Sequence, residues 1–224
     1  MEWLQQLMNG ISIGSIYALI ALGYTMVYGI IKLINFAHGD VVMIGAFTGF
    51  YAIVGLHLSF IPALLLAMAV CSILGVIIER VAYRRLRNSS RITALITAIG
   101  VSFFIEYTFI YFRGAQPQSY PKDVLPETSI NIFGAKINSQ ALLIFVITIV
   151  LMIILQLIVH RTKIGKAMRA VSIDPETAML MGISVDRTIS ATFAIGSALA
   201  GAAGVIIGIY FTKIEPLMGL LPGI

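Results

Sequence analysis

Six long apolar runs constrain this chain more than any other feature of its sequence. They cover residues 7–31, 37–56, 60–78, 92–112, 141–159 and 188–211. A helix needs about 20 mostly apolar residues to cross a bilayer, and each run meets or approaches that length. A membrane barrel would instead show short segments of alternating polarity, and these runs are apolar on every side. The fold class is therefore all-α, a polytopic membrane protein with about six transmembrane helices, with residues 1–224 forming one domain. The composition agrees: 59% of residues are hydrophobic and 11% charged, more apolar surface than a soluble domain of this length can bury. The opening Met1-Glu2-Trp3-Leu4-Gln5-Gln6 has no basic stretch, and no small-residue cleavage site precedes the end of the first run. The first helix is thus expected to stay in the mature protein.

The formal net charge of +5 does not imply a nucleic-acid partner, because the basic residues lie between apolar runs, where lipid headgroups are the natural counterions. Their distribution also predicts orientation. Lys32, Arg80, Arg84, Arg85, Arg87, Arg91, Arg161, Lys163, Lys166, Arg169 and Arg187 fall in one set of alternate connections; Arg113, Lys122, Lys136 and Lys213 fall in the other. Eleven against four places the connections near Lys32, 83–91 and 160–187 in the cytoplasm. The N-terminus and the segment after Phe211 then face outward. Residues 113–138, with Pro117, Pro121 and Pro126, read as an outer loop carrying at most a short helix. That loop is either a docking surface or an ordinary solvated connection.

Lipid tails are as apolar as leucine, so membrane helices associate where small side chains let backbones approach. Gly196, Ala200, Gly204 and Gly208 recur at every fourth position of the last run, Gly45 and Gly49 repeat the pattern in the second, and Gly10, Gly14 and Ala18 in the first. These are expected packing faces.

Ionisable groups at membrane depth are costly and mark candidate sites. Glu106 lies about 22 Å along its helix from Arg91 and either lines a polar path or is held by hydroxyls such as Tyr107 or Thr108. Glu79 beside Arg80 is explained by an interfacial ion pair or snorkelling. Between the first two runs, Asn35, His38 and Asp40 form a second polar group. Asn35 is expected to cap the second helix and Asp40 to sit in its first turn, near the positive dipole end; together with Glu106 these are the candidate pathway or gating residues. Cys71 is the single cysteine, and His57 and His160 lie in distant connections, so no metal cluster is expected.

Residues 160–187 are too long for a minimal turn and contain a helical pattern of their own. Gly165 and Asp174-Pro175 punctuate the stretch. Asp174 suits a cap, Pro175 the first helical position, Glu176 the positive end, and Gly182 the stop after Ala178 to Met181. Such a short amphipathic helix either docks a partner or lies on the lipid surface.

Glu176-Thr177-Ala178, three residues and then Gly182 resemble the EAA loop of ABC importer permeases, although the later Ile-x-Leu-Pro part of that motif is absent. Gly165-Lys166-Ala167-Met168-Arg169-Ala170, Asp174-Pro175-Glu176 and Ala178 to Gly182-Ile183 are similar to the branched-chain amino acid permease family, as are Asn35-Phe36-Ala37-His38-Gly39-Asp40 and Gly45-Ala46-Phe47. The resemblance runs along essentially the whole chain. It implies a permease subunit in a bacterial inner membrane that translocates leucine, isoleucine or valine. Its implied partners are two cytoplasmic ATPase subunits, a second homologous permease and a periplasmic or lipid-anchored binding protein. Asp174, Pro175, Glu176, Ala178, Gly182 and Ile183 would then couple to the ATPase. Family chains usually continue into further membrane helices after a segment like Glu215-Pro216-Leu217-Met218-Gly219, so this chain reads as a C-terminally truncated or unusually short member.

No phosphate-binding loop is present: Gly165-Lys166 is followed by Ala167 and preceded five residues earlier by His160. ATP would be handled by a partner chain. No nucleophile and base pair at membrane depth points to catalysis, and nothing calls for a cofactor. Two other functions stay open: an ABC permease for urea or short-chain amides, and an ion-coupled secondary transporter using Glu106.

Overall fold

A computed structural model describes residues 2–87, 89–121, 124–125, 129–132, 135–138 and 139–219. Lys122 and Pro126, used above for the outer loop, lie outside the described residues. Six helices are long and apolar enough to span a membrane. The first is α1 (Glu2–Ile31), the second α2 (Ala37–Val54) and the third α3 (Phe60–Ile78). A π-helical turn (Glu79–Tyr83) and a short α4 (Arg84–Leu86) continue α3, so this span runs to Leu86 and not merely to 78. Then come α5 (Arg91–Arg113), α6 (Ser139–Arg161), two short helices α7 (Lys163–Ile173) and α8 (Pro175–Leu180), and the last span α9 (Val185–Phe211).

The small-residue pattern explains why α9 forms the centre of the bundle. Each small position admits a different neighbour: Gly196 meets Gly23 and Val27 of α1, Gly201 meets Ala67 and Cys71 of α3, and Gly204 meets Val42 and Ala46 of α2. Gly45 faces Gly201, Gly49 faces Val205, and Ala200 is fully buried. Gly208 lies against Tyr120, whose hydroxyl donates to the Ala46 carbonyl at 2.9 Å. The pattern in α1 is different: Gly10 and Gly14 have nothing within 4 Å, so among the described residues the expected packing face at the start of α1 is not used.

The contacts of Gly45 with Gly201 and of Gly49 with Val205 set α2 parallel to α9. The start of α2 is eight residues before Gly45 and the start of α9 sixteen before Gly201, so α2 begins about 12 Å further into the bundle. Residues 32–36, which link α1 to α2, are not helical.

The outer connection contains strands where at most a short helix was expected. Strands β2 (Ser129–Ile132) and β3 (Ala135–Asn138) form an antiparallel hairpin, and β1 (Gln118–Ser119) pairs with β4 (Lys213–Ile214) just after α9. The cause of the second pairing is the depth of Tyr120: its buried ring and hydroxyl fix the loop against α2 and α9, and its backbone N–H bonds the Thr212 carbonyl at 3.1 Å. Burial pushes the phenol of Tyr120 above its ordinary value, so it remains a hydrogen-bond donor at any physiological pH. At the same end, Arg113 stacks 4.0 Å from the Tyr51 ring centroid.

Candidate functional site

The two sets of connections separate to opposite ends of the bundle. At the end carrying the eleven basic residues, the loop 160–187 folds into two capped helices. Thr162 caps α7, its Oγ1 accepting from the Gly165 N–H at 3.1 Å. Gly165 does not interrupt the helical pattern; it lies inside the first turn of α7, where an added Cβ would run into the carbonyls of Ile158 and Val159 at the end of α6. The guanidinium of Arg169 donates to the Val159 carbonyl, satisfying one of the groups that α6 leaves open.

The α8 helix is built as the sequence suggested. Asp174 Oδ1 accepts from the N–H groups of Glu176 (3.0 Å) and Thr177 (3.1 Å), and Oδ2 accepts from the Thr177 hydroxyl at 2.5 Å. The Thr177 hydroxyl, and after it the backbone N–H groups, hold the Asp174 carboxyl below its ordinary value. A depressed carboxyl contributes above its unfolded pKa and is lost only as pH falls through its folded one, so the cap is intact at neutral pH. Pro175 occupies the first helical position. At the other end the Gly182 N–H bonds the Met179 carbonyl and the Ile183 N–H bonds that of Ala178, both at 3.0 Å, with Gly182 at φ +82°. This pair of bonds is the Schellman termination. Ala178 is buried, whereas Leu180 is 87% and Met181 78% exposed, with Ile173 and Met179 also open.

Directly behind α8 lies a group of charges that the sequence did not disclose. Glu79, for which an interfacial ion pair beside Arg80 or snorkelling is the sequence expectation, is instead fully buried in the π turn and paired with the Arg87 guanidinium. Its other oxygen accepts from Ser190 Oγ at 2.6 Å. Arg87 also reaches Asp186 at 2.6 Å, and Arg84 bonds the same carboxylate. An open cleft of about 710 Å³ lies here, bordered by Arg84, Arg87, Asp174, Glu176, Met179 and Asp186. Asp186 and Ser190 stand about a hundred residues from Arg87 and Glu79 in sequence, so no local pattern could have matched them.

The four candidate pathway residues divide into two groups. Asn35 does not cap α2; no side-chain bond caps that helix, and Asn35 Oδ1 accepts from the Tyr83 hydroxyl at 3.0 Å. A direct bond to the π turn holds the non-helical link in place. His38 is buried between α1 and α2, against Gly23 and edge-on to Tyr24 at 5.7 Å, and neither ring nitrogen has a hydrogen-bond partner among the described residues. Asp40 and Glu106 come together. Asp40 accepts from Ser102 of α5 at 2.5 Å, Glu106 lies one turn further along α5, and the two carboxyls are near enough to interact. Both are nearly inaccessible. The expected hold on Glu106 by its neighbours is not made by Tyr107, which points outward.

A family profile described as the permease component of branched-chain amino acid transport systems matches residues 6–224. The chain belongs to that family. It is 43% identical, over its whole length and 76% of the relative, to the high-affinity branched-chain amino acid transport system permease protein BraD of Pseudomonas aeruginosa. It is 40% identical to LivH of Escherichia coli K12, which carries the same description, over 99% of this chain and 75% of that protein. A probable LivH of Methanocaldococcus jannaschii is 26% identical over 92% of this chain and 66% of its own length. No solved structure matches the permease. The apolar tip of α8 and the buried carboxyl pair are thus features of a transport subunit.

Proposed function

We propose that this chain is the membrane-spanning permease subunit of an ABC importer for branched-chain amino acids in a bacterial inner membrane. The observation that carries the proposal is α8: a helix capped at both ends, projecting uncovered Leu180 and Met181 from the bundle. Water-exposed apolar groups on a rigid helix fit a groove on another protein. Asp174, Pro175, Glu176, Ala178, Gly182 and Ile183 form this coupling element within the cytoplasmic loop 160–187, and the ATPase subunits are its partners. A second homologous permease completes the pore, and a periplasmic or lipid-anchored binding protein delivers the solute at the outer end, beside loop 113–138. Asp40 and Glu106 are the pathway candidates of greatest interest, because they are two buried carboxyls from neighbouring spans that lie near enough to influence each other. Asn35 and His38 are positioning residues.

The test is uptake of labelled leucine by proteoliposomes holding the complete transporter. Leucine accumulation that requires both ATP on the α8 side and loaded binding protein supports the reading. Uptake driven by an ion gradient without ATP would replace it with secondary transport, and a binding protein that takes up urea or an amide would move the solute class.

Orientation has its own test. In a Cys71→Ala background, a cysteine at Ser119 should react with an impermeant thiol reagent on intact cells, and one at Ser89 only after permeabilisation. Both positions are exposed. The reverse pattern would put the N-terminus in the cytoplasm and α8 on the wrong side for an ATPase.

A further inference from the structure

We propose that Glu79, Arg87 and Ser190 are positioning residues for transport: a permanent strut that makes the cytoplasmic ends of the third and last spans move as one body when α8 is pushed. The inference rests on the coupling role of α8 and goes beyond it, to where the motion enters the bundle. Glu79 is wholly inaccessible and its two oxygens are divided, one to Arg87 and one to Ser190 on α9. Arg87 passes on to Asp186, in the first turn of α9 and only six residues after the end of α8. The π turn helps to place these groups: an extra residue in the helix rotates the turns beyond it, and Arg84 and Arg87, three apart, both reach Asp186.

The two halves of this group differ physically. Breaking a buried ion pair leaves an uncompensated charge in a low dielectric, a heavy cost. Half-exposed pairs are worth little and open readily. Glu79 with Arg87 is of the first kind; Arg84 with Asp186, 50% and 47% exposed, is of the second. A joint that opened at Glu79 in each cycle would be a poor hinge. A joint that never opens is a good lever, and it acts on the element that touches α1, α2 and α3 at once.

The test uses the reconstituted transporter with its ATPases and binding protein. Cysteines at Arg84 and Asp186, in a Cys71→Ala background, are joined by a short thiol-specific cross-linker, with the unlinked pair as control. The linked protein should transport as the unlinked one does, because these ends do not separate. A block that reductant reverses would overturn the proposal. Glu79→Gln, which keeps shape and removes charge, should retain the ATPase subunits and basal hydrolysis while solute moved per ATP falls about tenfold. Glu79→Gln/Arg87→Gln should be no worse than the more severe single variant, since the partners act through each other. An unchanged transport ratio in Glu79→Gln would also overturn it. If Glu79→Gln cannot be purified, the cross-link alone decides. Failure of the underlying reading looks different: the unsubstituted chain would then retain no ATPase or show no ATP-driven uptake.

Discussion

Gly204→Leu should prevent the bundle from forming. A Cβ at this position would overlap the Val42 carbonyl and lie 2.7 Å from the Ala46 amide nitrogen. Both are backbone atoms of α2, so no side chain can rotate away. Forcing extra carbons into a packed core costs about 1–3 kcal/mol even where side chains can yield. Here α2 and α9 must separate along their length, taking Gly45 and Gly49 out of contact as well, and the cost should exceed that range. Against a total stability of about 5–15 kcal/mol, the expected result is little or no monodisperse protein after extraction. Whatever survives should melt about 10 °C or more below the unsubstituted chain. Gly100→Leu is the matched control, because a side chain there meets nothing within 4 Å; it should purify normally. Equal melting of Gly204→Leu and Gly100→Leu would mean that α2 and α9 do not meet as described.

Gly182→Val should abolish uptake while leaving the bundle intact. At φ +82° a β-branched residue is a steric outlier, and the left-handed conformation alone costs an ordinary residue about 1–2 kcal/mol. Six-residue helices have no intrinsic stability to absorb that; α8 exists because its cap and its Schellman bonds hold it. With the C-terminal pair of bonds gone, Leu180 and Met181 lose the fixed geometry that a groove requires. Space is not the obstacle, since nothing lies within 4 Å of the Gly182 Cβ position. Gly182→Asn, which tolerates positive φ, should therefore restore most activity. Glu176→Gln removes a first-turn carboxylate worth about 0.3–1 kcal/mol and should be mild. In proteoliposomes, Gly182→Val should either release the ATPase or leave hydrolysis that no longer responds to loaded binding protein. Normal uptake and normal stimulation in both Gly182→Val and Glu176→Gln would make α8 a passive connection.

The features legible in the sequence were those encoded by neighbours along the chain. Apolar runs specify spans because their length is set by the bilayer, and the Asp174, Pro175 and Gly182 signals specify α8 because helix ends are satisfied within a few residues. The every-fourth-residue ladder announced that α9 packs closely, although not that its glycines would serve three different partners. What failed were inferences about pairing. Asn35 looked like a cap because caps are local, yet its partner Tyr83 is 48 residues away. Glu79 was matched with the adjacent Arg80 for the same reason. Arg87 became its partner only because a π turn, which has no sequence signature of its own, rotates the end of the third span. Tyr120 lay in a loop that proline content marked as irregular, and nothing nearby in sequence indicated that its ring would be buried against α2 and α9.

The late start of α2 bears on the thickness of the barrier itself. Residues 33–36 are not helical, and backbone of that kind survives at membrane depth only where protein or water surrounds it, never against hydrocarbon. Wherever this link lies at membrane depth it must be enclosed by protein or reached by water, and the burial of Asn35 with its bond from the Tyr83 hydroxyl supplies part of that enclosure. The last span has 27 residues and runs about 40 Å, longer than a hydrocarbon core of about 30 Å, so part of the roughly 12 Å offset of α2 falls outside that core.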